Sequence, residues 1–142
     1  MLSLLRTKPS TTVPVVRWSL ALVMFPHGAQ KLLGWFGGSG FSGTVGFFES
    51  AMGILPVFTV LAILTEFFAP ILLALGLFTR ISALALTLNV VAAMFLVNFQ
   101  NGFFWTDQGY EFPLLIAILS LLLVAKGAGS WSLDQRLARN SR

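Results

Sequence analysis

Long apolar runs separated by short polar stretches dominate the chain. Four runs are evident, at 13–36, 57–78, 81–99 and 110–125. Their apolar residues occur on all sides of a helical wheel, as in helices that contact lipid. A bilayer core takes about 20 helical residues, and backbone groups inside it must be hydrogen-bonded within the protein. The pattern therefore predicts an all-α fold, a membrane four-helix bundle.

The connections between the runs add detail to this fold. The turn between the second and third runs extends at most from Gly76 to Ser82, which predicts an antiparallel hairpin. After the first run, the segment 44–55 is too short to span a membrane and is followed by Pro56. We expect this segment to form an interfacial or re-entrant helix. The chain, 1–142, is predicted to be a single integral membrane domain.

A glycine motif in the first connection resembles a dinucleotide-binding loop. Residues 38–43 have the spacing G-x-G-x-x-G, which binds a pyrophosphate when a strand precedes it and a helix follows it. Here a predicted membrane span precedes the glycines. We therefore expect no dinucleotide at this position.

Positive residues indicate the orientation in the membrane. Lys and Arg number nine and Asp and Glu five, for a net charge of +4. Because positive residues favour the cytoplasmic side, both termini are predicted to be cytoplasmic. The first run continues to Phe36 without a small-residue cleavage site, which predicts a retained span. The basic residues on the cytoplasmic side are Arg6, Lys8, Arg17, Arg80, Lys126, Arg136, Arg139 and Arg142.

Composition excludes several classes of chemistry. Hydrophobic residues make up 56% and charged residues 10%, against about 25% charged in a soluble domain. The absence of cysteine and the single histidine exclude disulfides, thiolate metal sites and a bis-histidine haem within one chain. The scattered basic residues do not form a stripe for nucleic acid. We expect no covalent cofactor, no metal and no nucleic-acid partner.

Few ionisable residues remain inside the predicted spans. Each costs about 2.5–3.5 kcal/mol there, so each needs a partner or a function. At about 1.5 Å per residue, His27 and Glu66 lie in one layer about 13 Å deep, and Lys31 and Glu111 in a shallower layer. His27 and Lys31, four residues apart, share a helix face, and Glu66 is the expected counter-charge for one of them. These four are the candidates for ligand binding or proton exchange.

Other residues are assigned supporting roles, and none is assigned as catalytic. Phe25, Phe67, Phe68 and Asn89 are candidates to line a pocket. Pro26 predicts a kink, and Gly28 leaves room for a neighbouring helix. Arg17, Arg80 and Asp134 are expected to be structural. The alternative for the candidate site is an ion-pair network that only holds the helices in register.

Motifs along most of the chain carry a family resemblance. They are Arg17, His27-Gly28 with Lys31, a glycine-rich stretch ending at Pro56, Glu66, the hairpin 75–80, Glu111 and the segment 127–134. In this order they resemble the DoxX family, part of the DoxX-like and SURF4-like group of small four-helix membrane proteins. Ala128 stands where that family often has proline. The resemblance implies a bacterial inner-membrane (cytoplasmic-membrane), multi-pass protein associated with redox chemistry.

Three functions are compatible with these observations. The first is a quinone-interacting or accessory subunit of a membrane redox system, active only within a quinone-linked oxidoreductase complex. The second is a structural or anchoring subunit without chemistry of its own. The third is a proton-coupled small-solute transporter. The expected partners are the lipid bilayer, a redox-enzyme subunit and other copies of the chain.

Overall fold

A computed structural model describes residues 7–140 of the chain. Within this range the fold is all-helical without strands, as predicted. Arg6 and Arg142, two of the expected orientation markers, lie outside the described residues. The α-helices are α1 (Thr12–Leu33), α2 (Gly40–Met52), α3 (Pro56–Leu75), α4 (Thr79–Ala93), α5 (Glu111–Lys126) and α6 (Leu133–Asn140).

Shorter helical turns complete the path of the chain. A 3₁₀ turn, Trp35–Gly37, follows α1. A π-helical turn, Met94–Asn98, and a 3₁₀ turn, Phe99–Asn101, extend α4. Another 3₁₀ turn, Trp105–Asp107, precedes α5.

Two helical segments in the described range are long and apolar enough to cross a membrane. They are Pro56–Leu75 and Thr79–Asn101. The first predicted span corresponds to α1, which has 22 residues and continues through Pro26. It ends at Leu33, three residues earlier than predicted, because Gly34 takes the left-handed conformation that often ends a helix. The fourth predicted span corresponds to α5, which has 16 residues.

The hairpin between α3 and α4 is as short as predicted. Gly76 ends α3 with φ +64°, and the N–H of Leu77 donates to the carbonyl of Leu72 at 2.9 Å. This pattern is typical of a helix end closed by a glycine. Since α4 begins at Thr79, the two helices pack side by side.

The segment predicted at 44–55 is helical but starts earlier, because α2 begins at Gly40. It ends at Met52, where Gly53 has φ +65°. The glycine motif at 38–43 therefore lies between a 3₁₀ turn and the first turn of α2. In the described chain no strand precedes these glycines, so the context of a dinucleotide loop is missing.

Packing among the helices encloses one apolar core. α1 packs against α3 and α5, and α4 also packs against α3 and α5. α2 covers one end, where it contacts α1 and α3. Large buried members of the core are Leu20 of α1, Leu73 of α3, Leu86 of α4 and Leu123 of α5.

At the other end, α6 is tied to the α3–α4 turn through Asp134. Its carboxylate accepts hydrogen bonds from the backbone N–H groups of Phe78 and Thr79, at 2.8 and 2.9 Å. The N–H of Asp134 in turn donates to the carbonyl of Gly76 at 2.9 Å. Asp134 is 2% exposed. The N–H groups at the start of a helix have no acceptor within the helix, and Asp134 supplies that acceptor for two of them at the start of α4.

Arg17 lies beside this junction and is fully buried. Its Nη2 donates to the carbonyl of Trp131 at 2.9 Å, and it does not form an ion pair with Asp134 in the described chain. A Cβ on Gly76 would overlap the guanidinium, so the glycine provides the space that Arg17 occupies. Arg17 thus joins α1 to the segment before α6.

Candidate functional site

A buried ion pair joins α1 to α3. Lys31 Nζ lies 2.7 Å from Oε1 and 2.6 Å from Oε2 of Glu66. The Glu66 side chain is 6% exposed and that of Lys31 is 31% exposed. Of the two bases proposed as partners for Glu66, Lys31 is therefore the one in direct contact.

Gly28 explains how Lys31 reaches the carboxylate. A Cβ at this position would overlap the backbone carbonyl of Glu66, so α1 and α3 are in backbone contact here. Lys31 lies three residues after Gly28, on the same side of α1. The close approach of the two helices therefore places the ammonium directly against Glu66.

Asn89 of α4 adds a third helix to this arrangement. Its Nδ2 donates to Oε1 of Glu66 at 3.0 Å. An ammonium carries three donors and an amide carries two donors and an acceptor. Among the described residues, one N–H of Lys31, and one N–H and the oxygen of Asn89, therefore have no partner and can bind another molecule.

These polar groups face a pocket of about 470 Å³ between α2, α3 and α4. Thr44 and Thr59 also line it. The Thr59 hydroxyl is buried without a hydrogen-bond partner among the described residues. Such a group is costly unless something else bonds to it. The remaining wall is mostly apolar and includes Phe48, Ile54, Phe58, Leu61, Ile63, Leu88, Leu96 and Val97.

His27 is absent from the lining of this pocket, although it lies near enough to Glu66 and Lys31 to interact with their charges. Its ring lies 5.6 Å from the ring of Phe112 on α5. Residues four apart on a helix are offset by about 40° and one turn in height. Because α1 packs between α3 and α5, this offset is enough to place Lys31 against α3 and His27 against α5.

Glu111 is also separate from the pocket. It is the first residue of α5, and its backbone N–H donates to the carbonyl of Phe103 at 2.9 Å. In the described part of the chain it forms no ion pair with Lys31. Lys31 is therefore paired with Glu66, and the shared shallower layer of Lys31 and Glu111 stays a prediction.

The aromatic residues expected in the pocket are elsewhere. Phe25, Phe67 and Phe68 are absent from its lining. Phe67 instead contacts the rings of Phe25 and Phe68, with centroids 5.5 and 5.1 Å apart. Positions 67 and 68 are rotated by about 100° and 200° from Glu66 on the helix, so they face away from the pocket that Glu66 lines.

Asn89 lines the pocket, as predicted, and so do Thr59 and Phe58, which were not among the predicted lining residues. The spacing contained a signal for Thr59, because it lies seven residues before Glu66 and so on the same helix face. No comparable signal identifies Thr44, since its position depends on how α2 folds over α1 and α3.

One family model and two relatives match the chain. A family model described as DoxX matches residues 13–99, from α1 through the extension of α4. An uncharacterized protein of Haemophilus influenzae is 32% identical over 122 residues, covering 84% of this chain and 79% of the relative. A second uncharacterized protein of that organism is 39% identical over 74 residues, covering 50% of this chain and 55% of the relative.

No solved structure matches the chain significantly. The family match covers more than half of the chain and includes Gly28, Lys31, Glu66 and Asn89. The chain therefore belongs to the DoxX family, and its two apolar helices of spanning length are those of a membrane protein.

Proposed function

We propose that the chain is a multi-pass protein of the bacterial inner membrane. In this arrangement α1, α3, α4 with its extension, and α5 form a four-helix transmembrane bundle with cytoplasmic termini. Large apolar side chains on the outward faces support it, including Leu22, Leu64, Leu84 and Ile118, all of which are exposed. Such apolar faces are stable when lipid covers them.

The distribution of charge supports the proposed orientation. Lys8, Arg80, Lys126 and Arg139 line one cleft, and so lie at one end of the helices. The Lys31–Glu66 pair lies toward the other end. Because basic residues favour the cytoplasmic side, the pocket beside Glu66 then belongs to the outer half of the membrane.

Within this bundle, the pocket is proposed to bind a quinone, and the chain to act as a quinone-interacting accessory subunit of a membrane redox system. The observation that carries this proposal is a mostly apolar pocket of about 470 Å³ with Lys31, Glu66 and Asn89 in its wall. A quinone has an apolar ring and two carbonyl acceptors. Small-molecule sites commonly combine apolar walls with a few placed polar groups.

The side chains at the site suit this ligand. The third N–H of Lys31, the second N–H of Asn89 and the Thr59 hydroxyl are donors without partners in the described chain. They can bind and orient carbonyl oxygens. Glu66 holds the ammonium in place. A bound quinone would supply two-electron redox chemistry, with electrons exchanged with a partner subunit.

Quinone binding can be measured directly on the purified full-length protein. We expect a soluble short-chain ubiquinone to raise the melting temperature and to quench tryptophan fluorescence with saturation. Thr59→Val keeps the side-chain shape and removes no hydrogen bond present in the fold. It should weaken binding by about fivefold, the equivalent of one hydrogen bond.

Two further variants test which residues form the site. Asn89→Leu removes a polar group that contacts Glu66, so quinone binding should fall by at least about tenfold. Thr106→Val, at an exposed position outside the pocket lining, is the matched control and should change binding less than about twofold. Absence of ubiquinone binding by the unmodified protein, or equal binding by all variants, would contradict the proposal and favour the structural or anchoring role.

A further inference from the structure

A second cleft lies at the opposite end of the molecule from the Lys31–Glu66 pair. Its volume is about 1010 Å³, and it is bounded by the start of α1, the start of α4, the end of α5 and α6. Every charged residue in its described lining is basic: Lys8, Arg80, Lys126 and Arg139. Four cations from separate parts of the chain thus face one space without an acidic residue in its described wall.

Arg80 is held rigidly at this cleft. Its Nη1 donates to the carbonyls of Val124 and Ala125, at the end of α5. Its Nε is buried and has no hydrogen-bond partner among residues 7–140. Lys8, Lys126 and Arg139 are exposed, so their long side chains can turn toward an anion without breaking contacts of the fold. The cleft therefore combines one fixed cation with three adaptable ones.

The remaining wall of the cleft is apolar on one side. Val13 and Val16 of α1 and Leu122 and Ala125 of α5 line it. Val16 and Leu122 each lie one turn closer to the middle of their helices than Thr12 and Lys126, which line the same cleft. An anion with a hydrocarbon chain would match both parts, because its charged group would meet the cations while its chain followed α1 and α5.

We propose that this cleft binds the phosphate of an anionic phospholipid in the cytoplasmic leaflet. The inference rests on the membrane embedding proposed above and not on quinone binding at the other pocket. Basic pockets between membrane helices on the cytoplasmic side commonly bind lipid phosphates. The apolar wall favours a lipid over a water-soluble phosphate, since a soluble anion would leave the exposed parts of Val16 and Leu122 uncovered.

Native mass spectrometry of the detergent-solubilised full-length protein tests the proposal. Phosphatidylglycerol is titrated against phosphatidylcholine with the same acyl chains. We expect phosphatidylglycerol to bind at least about tenfold more tightly. Each cation near a lipid surface contributes about fivefold in affinity, so Lys8→Gln, Lys126→Gln and Arg139→Gln together should weaken phosphatidylglycerol binding by about a hundredfold.

The matched control is Arg136→Gln, which removes one cation from α6 outside the cleft lining. It should change affinity less than about twofold, whereas Arg139→Gln alone should change it by about fivefold. Equal binding of the two lipids, or equal effects of Arg136→Gln and Arg139→Gln, would overturn the proposal. Binding of glycerol phosphate as tight as that of phosphatidylglycerol would overturn the assignment to lipid. Quinone binding measured in parallel keeps the two sites distinguishable.

Discussion

Replacing Lys31 by methionine removes the ammonium from the ion pair and leaves the Glu66 carboxylate buried. Glu66 is only 6% exposed. The donor that remains to it in the described chain is Asn89 Nδ2, at 3.0 Å. Removing one member of a buried pair commonly costs about 3–5 kcal/mol. We therefore expect Lys31→Met to lower the free energy of unfolding by about 3 kcal/mol or more.

Replacing Glu66 by glutamine should cost less, because the two partners differ in exposure. The Lys31 side chain is 31% exposed, and its flexible stem lets the ammonium turn toward water or headgroups. The new amide oxygen can still accept the hydrogen bond from Asn89. We expect a loss of about 1 kcal/mol. Because the double variant Lys31→Met/Glu66→Gln contains no stranded carboxylate, it should be more stable than Lys31→Met by about 2 kcal/mol.

Equilibrium unfolding in mixed micelles, followed by circular dichroism and tryptophan fluorescence, measures these differences. Lys126→Met is the matched control, since Lys126 is exposed and its removal should cost less than about 0.5 kcal/mol. The reasoning is refuted if Glu66→Gln is as destabilising as Lys31→Met. It is also refuted if the double variant is no more stable than Lys31→Met.

Two further predictions concern helix contacts, and the same unfolding assay measures both. Gly28→Ala should lower stability by about 1–3 kcal/mol, because the new methyl group would overlap the Glu66 carbonyl. Gly46→Ala, in the open part of α2, should be neutral or stabilising by up to about 1 kcal/mol, and equal losses would refute the close contact. Asp134→Ala should cost about 2–4 kcal/mol, because two backbone N–H groups lose their acceptor. Asp107→Ala, at an exposed site, should cost less than about 0.5 kcal/mol, and an equal effect would show that the Asp134 contacts contribute little.

The helices could be predicted because their apolar runs are long and their ends carry local signals. Gly76 and Pro56 mark the ends of α3 through backbone properties that depend on few neighbours. The cost of a charge among apolar residues also identified Lys31 and Glu66 as residues that need a partner. Helix ends and costly charges depend on residues within one helix, so they can be predicted from the sequence alone.

Which residues line the pocket depends instead on how each helix is rotated about its axis relative to its neighbours. Depth along a helix put His27 and Glu66 in one layer, yet His27 faces Phe112 on α5. A rotation of about 40° between positions four apart decides which neighbouring helix a side chain meets. The contact of Gly28 with α3 fixes that rotation for α1, and one sequence does not show which helix the glycine contacts.

The position of Asp134 in the chain also bears on the order of assembly. The N–H of Thr79 precedes the carboxylate that accepts its hydrogen bond by 55 residues. At about 5–20 residues per second of synthesis, the α3–α4 hairpin is complete for several seconds before Asp134 is made. In the proposed membrane arrangement, water or headgroups bond to the turn of the hairpin until Asp134 is made. Closure by Asp134 is a late step, which fastens α6 to helices that are already in place.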